Sequence, residues 1–441
     1  PVLGSDANSG LTQAFPVATI TRALEIAGTG SAIDLDVIRL APGTYGIQET
    51  WPLTLGRYQR LQGSAPMESI LDGNAAGTAI LLTGVHEVDF DLAATRISDC
   101  VFLGNGDAIS TPPTPLTPQL ILQDCEFRTL QAGLRTGTTD EPGEILVQRC
   151  AFLGGARAAD NTSAFGPTDF TFEDCRFEDL DIGYANQTVP AQLGPQVFRR
   201  CEFHNVTQGL NVFSIFDSGS ILIEDCTFWG GSVPIQTTFI GVTVRRCTFV
   251  DPLVRWADMT QSICTVDRCI QAGGAFSGTV FGSVSNSLMT DPAFHGVNGN
   301  SAGTAQFLDR ANGDLRLAPG SLGIDAYASA STDLSGFPRD RSDGALDTLP
   351  LADLGAHEFR VLDGPASATL GSTFDLTLSV AQAEFAWVVH APLASSGALT
   401  PFGESWLDLA GPFSTVAIQQ APSSFSITVS NDPALVGTTM S

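Results

Sequence analysis

The stretch TDFTFEDCRFEDLDIGYANQ (Thr168–Gln187) decides the fold, because its frame recurs along the chain. Seven cysteines sit in the same Cys-x-Phe setting: Cys100, Cys125, Cys150, Cys175, Cys201, Cys226 and Cys247. An eighth copy at Cys269 lacks the Phe, and successive spacings are 25, 25, 25, 26, 25, 21 and 22 residues. Phe two residues after Cys places both side chains on one face of a strand. Before Cys, apolar residues recur at odd distances, as with Phe170 and Phe172 ahead of Cys175, or Ile221 and Ile223 ahead of Cys226. Inward parity is odd before the cysteine and even after it, so a short corner separates two strands. A small residue and an apolar one (Gly133-Leu134, Gly183-Tyr184, Gly209-Leu210) open the next stretch.

A unit this short cannot bury its apolar face alone and must stack on its neighbours. Leucine-rich repeats share the period but need a leucine frame and an asparagine column that this sequence lacks. The frame predicts a right-handed parallel β-helix, each copy one coil, with equivalent residues stacked about 4.8 Å apart.

Stacked cysteines are expected to pack as small buried hydrophobes. One rung holds Cβ atoms slightly too far apart for a relaxed disulfide, and no zinc-type Cys/His spacing occurs. Cys264 falls in the inward column of Val242 and Ile221. The two residues before each Cys alternate in charge from Cys175 onward: Glu173-Asp174, Arg199-Arg200, Glu224-Asp225, Arg245-Arg246, then Asp267-Arg268. On consecutive rungs this order gives a surface ion ladder that opposes slippage by one coil.

The wider composition narrows function. Of 441 residues, 47 are Asp or Glu against 21 basic residues, all of them Arg, for a formal net charge of −26. A nucleic-acid binder needs clustered cations, which argues against that class. Without lysine, Schiff-base chemistry and a phosphate-cradling Walker motif are excluded. No apolar run reaches the length of about 18 residues that a membrane helix needs. The chain starts at Pro1 and not Met, so a removed leader or a trimmed end is expected.

Outside the repeats, FPVATITRALEIA reads as an amphipathic helix with Thr19 as N-cap and Ile20, Ala23, Leu24 and Ala27 on one side. It is expected to close the open end of the solenoid. STPPTPLTP (Ser110–Pro118) is too proline-rich for a central strand and marks a loop. The opening GSDANSG…FPVATITRALEIA…IRLAPGTY resembles secreted bacterial β-helix proteins of the pectin-lyase-like superfamily. So does the closing run DPAF, NGDLRLAPGSLGIDA, TDLSGFPR and ADLGAHEF. The resemblance covers about residues 1–360, with repeats about 80–290, and implies an extracellular or cell-surface setting. Residues 361–441 read as a small Ig-like β-sandwich, from alternating strands such as FDLTLSV and FSITVS. The fold class is therefore all-β: a β-helix with an N-terminal capping helix, then a sandwich.

Members of that superfamily include lyases, hydrolases, epimerases and non-enzymatic surface proteins, so fold does not settle function. The paired-Asp with Gly-His-Gly and the Asp-Pro-His signatures that the resemblance would imply are absent. The leading expectation is a structural rod that associates end to end into a filament. The alternatives are a polysaccharide lyase or glycoside hydrolase, and a carbohydrate binder. Catalytic candidates are Asp179, Asp181 and Glu202, with His204 beside them, because carboxylates on neighbouring rungs suit glycoside hydrolysis. Calcium is chemically reasonable in the acidic loops at Asp6, Asn8, Asp89, Asp91, Asp340, Asp343 and Asp347. Carbohydrate binding needs exposed aromatics on one sheet, and the five tryptophans do not share a column.

Overall fold

Each coil of the repeat turns at the residue before its cysteine. In the computed structural model Asp99, Asp124, Arg149, Asp174, Arg200, Asp225, Arg246, Arg268 and Asn286 all have φ between 49° and 58°. This left-handed conformation suits Asp and Asn and is uncommon for Arg. It reverses the inward parity, as the sequence pattern requires. The structure describes residues 4–428 except 29–34, 57, 65–66, 74–76, 84–93, 105, 112–118, 130, 138–142, 162–167, 188–193, 215–218, 281, 319, 325, 327–352, 358–361, 364–372, 379–385, 391–392, 401–402, 408–413 and 420–422; from 362 onward it describes backbone alone.

The protein is mostly β, and its repeats form a parallel β-solenoid. Within one coil, Thr168–Glu173 leads into the corner and Arg176–Gln187 leaves it. The first pairs in parallel with Gly143–Gln148 before it and Gln196–Arg199 after it. The second pairs with Ala151–Asn161, then with Glu202–His204 and Gln208–Phe213. Phe102, Phe127, Phe152, Phe177, Phe203, Phe228 and Phe249 form one ladder, with near-parallel rings 4.4–5.3 Å apart. Their burial is essentially complete, and stacking adds to the hydrophobic gain. The small residue of each third stretch is explained here. A Cβ on Gly183 would meet the Phe203 ring at 2.9 Å and the Gly209 carbonyl at 2.5 Å.

The cysteines are free and buried, and each thiol in the ladder also serves the corner. The Cys201 Sγ donates to the Arg199 carbonyl at 3.3 Å, and Cys226 does the same to Glu224 at 3.2 Å. In the coil after Cys269 this place is taken by Ser287, which donates to the Ser285 carbonyl at 2.7 Å. Before Cys100 it is taken by Ser69. A small side chain with one short donor is what the column selects.

The charge ladder is sharper than a surface feature. Arg149 binds Asp124, Arg200 binds Asp174 and Arg246 binds Asp225, each through two parallel hydrogen bonds of 2.6–2.9 Å. Arg199 lies between Glu173 and Glu224 at 3.6 and 3.4 Å. The surface placement expected from the sequence is corrected at one rung, where Asp225 and Arg246 are buried.

The helix α1 (Ile20–Ala27) carries the expected cap, Thr19 Oγ1 accepting from the Arg22 amide at 3.1 Å. A second cap comes from afar. The Glu49 carboxylate accepts from the amides of Ile20 and Thr21, both at 2.8 Å. By contacts the chain divides into Pro1–Ala302 and Gly303–Ser441. The second unit contains an antiparallel hairpin, Phe307–Asp309 with Asp314–Leu317, and antiparallel pairs of Thr373–Leu378 with Ser423–Thr428 and Ala386–His390 with Ser414–Gln419. No helix among the described residues is long and apolar enough to cross a membrane.

Candidate functional site

The strand after each cysteine alternates inward Phe with two outward positions, one residue and three residues after Cys. Parallel register stacks these outward residues into two columns. The first runs Glu126, Ala151, Arg176, Glu202, Thr227, and the second Arg128, Leu153, Glu178, His204, Trp229. Chemistry concentrates on three successive rungs. The Arg176 guanidinium meets Glu178 at 2.7 Å. His204 Nδ1 lies 3.3 Å from the other oxygen of Glu178. The His204 ring stacks on Trp229 with centroids 4.1 Å apart and planes at 19°.

Glu202 sits opposite Arg176, diagonal to Glu178. One rung and two residues of offset put the two glutamate Cα atoms roughly 8 Å apart. Much of the Glu202 side chain is open to solvent, yet desolvation against the packed sheet raises its carboxyl above the ordinary value. Glu178 pushes the same way, and Arg176 and His204 oppose it. The face thus offers a carboxyl whose pKa is raised, an ion-paired carboxylate and an imidazole stacked face to face on an indole.

The sequence candidates distribute unevenly around this site. Glu202 and His204 stand on the face itself. Asp179 has φ 53° at the next corner, in a column with Asn205, Gly230 and Asp251, all of positive φ, and it accepts from Asn205 Nδ2 at 2.7 Å. Its place is accounted for by the turn. Asp181 is exposed beyond that corner. Arg176, Glu178 and Trp229 are members that the sequence reasoning did not assemble, although counting one and three residues past each Cys finds them.

Of the calcium candidates, Asp6 accepts from the amides of Ala18 and Thr19 at 2.8 and 3.0 Å and from the Thr19 hydroxyl at 2.9 Å. Asn8 Nδ2 donates to the Pro16 carbonyl at 2.7 Å. Asp89, Asp91, Asp340, Asp343 and Asp347 lie outside the described residues. No group of three or more His, Cys, Asp or Glu side chains among the described residues is arranged to hold a metal ion.

Residues 2–82 match a family model described as a protein of unknown function (DUF1565). No curated protein matches the chain. Among solved structures it is similar to the pectate lyase Pel9A, at 13% identity over 81% of this chain and 94% of that one, with a TM-score of 0.50. It is also similar to a rhamnogalacturonan lyase, at 12% identity over 64% and 85% with a TM-score of 0.36. A third similarity is to the A-module of the Azotobacter vinelandii mannuronan C-5 epimerase AlgE6, at 10% over 64% and 93%, with a TM-score of 0.25. The first of these shows a shared β-solenoid fold.

Proposed function

We propose that the protein recognises a polysaccharide along the outer face of the strands that follow the cysteines. The observation that carries this reading is the Trp229–His204 stack, set in line with Glu178 and beside Glu202 and Arg176. Sugar rings present apolar faces and hydroxyl edges. The apolar outer edge of the stacked aromatic pair takes the first, and carboxylates with a guanidinium take the second. The aromatic column sought in the sequence is supplied by Trp with His in place of Trp with Trp. Rungs also repeat at about 4.8 Å, so an extended chain of repeating sugars meets a surface of repeating backbone.

The setting that suits this reading is outside a bacterial cell, with a right-handed coil and the last strands folded as a sandwich; the resemblance of both ends of the repeat region and the antiparallel pairs after residue 373 support it. End-to-end self-association has no observation behind it among the described residues, so polysaccharide recognition takes precedence.

The test is binding of the full chain to a panel of soluble polysaccharides by affinity electrophoresis. Trp229→Ala is expected to weaken the strongest interaction at least tenfold, and an unchanged mobility shift would move the site elsewhere.

A second reading has its own observation. The raised Glu202 carboxyl, diagonal to ion-paired Glu178, suits a general acid working with a general base. Release of reducing ends should then fall on the order of 100-fold or more in both Glu202→Gln and Glu178→Gln. Activity that survives both changes would exclude this pair.

A further inference from the structure

We infer that the polysaccharide recognised by this face is uncharged, and that uronate polymers are rejected. The inference rests on the proposed glycan-binding role of the face and names the substrate class for it.

Two arginines stand on the relevant columns, and each is engaged by a carboxylate of its own strand: Arg176 by Glu178 at 2.7 Å, and Arg128 by Glu126. His204 faces Glu178. A uronate carboxylate arriving here would meet guanidiniums whose charge Glu178 and Glu126 already neutralise. It would sit beside those carboxylates and beside Glu202. Asp179, at the next corner of the same strand, and Asp181 just past that corner add to the repulsion. Like charges brought this close are disfavoured, and specificity is commonly set by such repulsion.

The far field points the same way. At a net charge of −26, without a single lysine, the whole molecule repels a polyanion over a Debye length of about 10 Å at 0.1 M salt.

A neutral sugar meets the opposite situation. Its hydroxyls donate to the carboxylate oxygens of Glu178 and Glu202 in charge-assisted hydrogen bonds, and its apolar face lies along the outer edge of the stacked Trp229–His204 pair. No ion pair of the site is broken.

The experiment uses the full chain in affinity gels and isothermal titration with xylan, mixed-linkage glucan, galactomannan, polygalacturonate and alginate. Each polymer is run in EDTA and in millimolar calcium, at low and at 0.5 M sodium chloride. The expected result is binding to at least one neutral polymer, changed less than threefold by salt or calcium and lost tenfold or more in Trp229→Ala. Binding to polygalacturonate or alginate at ten times the affinity of any neutral polymer, in either divalent condition, would overturn the inference and leave the glycan-binding role standing. Absence of binding to every polymer would overturn both. Binding to neutral polymers that Trp229→Ala leaves intact would overturn the placement of the charge filter on this face.

Discussion

Arg246 holds the carboxylate of Asp225 one coil earlier through Nε–Oδ1 and Nη2–Oδ2 contacts of 2.8 and 2.9 Å, with the two side chains only 11% and 7% exposed. Arg149 holds Asp124 with the same fork at 2.7 Å, but there the exposures are 52% and 39%. The two pairs share geometry and left-handed corner, with Arg φ values of 51° and 50°. They differ in solvent, and Arg246 also reaches Glu224 at 2.8 Å.

Removing one partner of a buried pair strands a charge, at a cost of roughly 3–5 kcal/mol, whereas an exposed pair is worth up to about 1 kcal/mol. Arg246→Ala should therefore destabilise the solenoid several-fold more than Arg149→Ala in urea unfolding. The backbone cost of alanine at a left-handed corner is common to both and cancels. Equal losses would show that neither burial nor the second carboxylate at Arg246 sets the strength of this ladder.

The cysteine column predicts a chemical silence. All nine thiols are free and buried, and burial is the main cause that pushes the thiols of Cys100, Cys150, Cys201, Cys226, Cys247 and Cys269 well up, and that of Cys264 to about 12. Thiolate is the reactive form. A thiol-disulfide reagent at pH 8 should find none of the nine in the native protein and all of them in denaturant. Fast labelling of native protein would contradict the packing. Cys201→Ser should fold, because Ser287 already occupies this column and makes the same bond to the corner carbonyl.

Those same columns show what the sequence could and could not disclose. Cys and Phe were legible because burial in a repeated environment selects one residue type at each coil. The outward position three after Cys carries Leu103, Arg128, Leu153, Glu178, His204 and Trp229 in turn, so no frame announces it. Asp179 drew attention as a carboxylate because a positive φ is invisible in a sequence. The same holds for Asp6, whose partners Ala18 and Thr19 lie twelve and thirteen residues away. The Glu49 cap on α1 spans more than a coil of chain, and no local motif encodes it.

The Phe ladder predicts a graded response. Phe177 stacks on Phe152 and Phe203 at 5.3 and 4.4 Å and meets Phe172 edge-on. Phe177→Ala should cost about 3–5 kcal/mol, from lost transfer energy plus an unfilled cavity. Phe177→Leu should cost clearly less, because much of the volume is kept. Matched losses by chemical denaturation would mean that the ring stack, and not volume, dominates.

Asp107 supplies a pH dependence with a definite sign. It is buried, with Arg135 at 3.0 Å, while Asp160, also buried, shares Arg135 and binds Arg157 at 2.6 Å. Desolvation raises the Asp107 carboxyl above its ordinary value; Arg135 lowers it in part, and Asp160 raises it further. In the unfolded chain this group releases its proton near pH 3.9. Above that point the folded state still holds a proton that the unfolded state has lost. The stabilisation is therefore fully present below about pH 3.9 and is lost as pH rises through the folded value. Asp107→Asn removes this contribution. Its stability relative to the unaltered protein should shift in the variant's favour from pH 3.5 to pH 7, whatever the absolute cost of the amide beside Arg135. Paired urea unfolding curves at the two pH values decide the matter: a difference that stays constant, or moves against the variant as pH rises, would mean that Asp107 titrates in the native protein as it does in the unfolded chain.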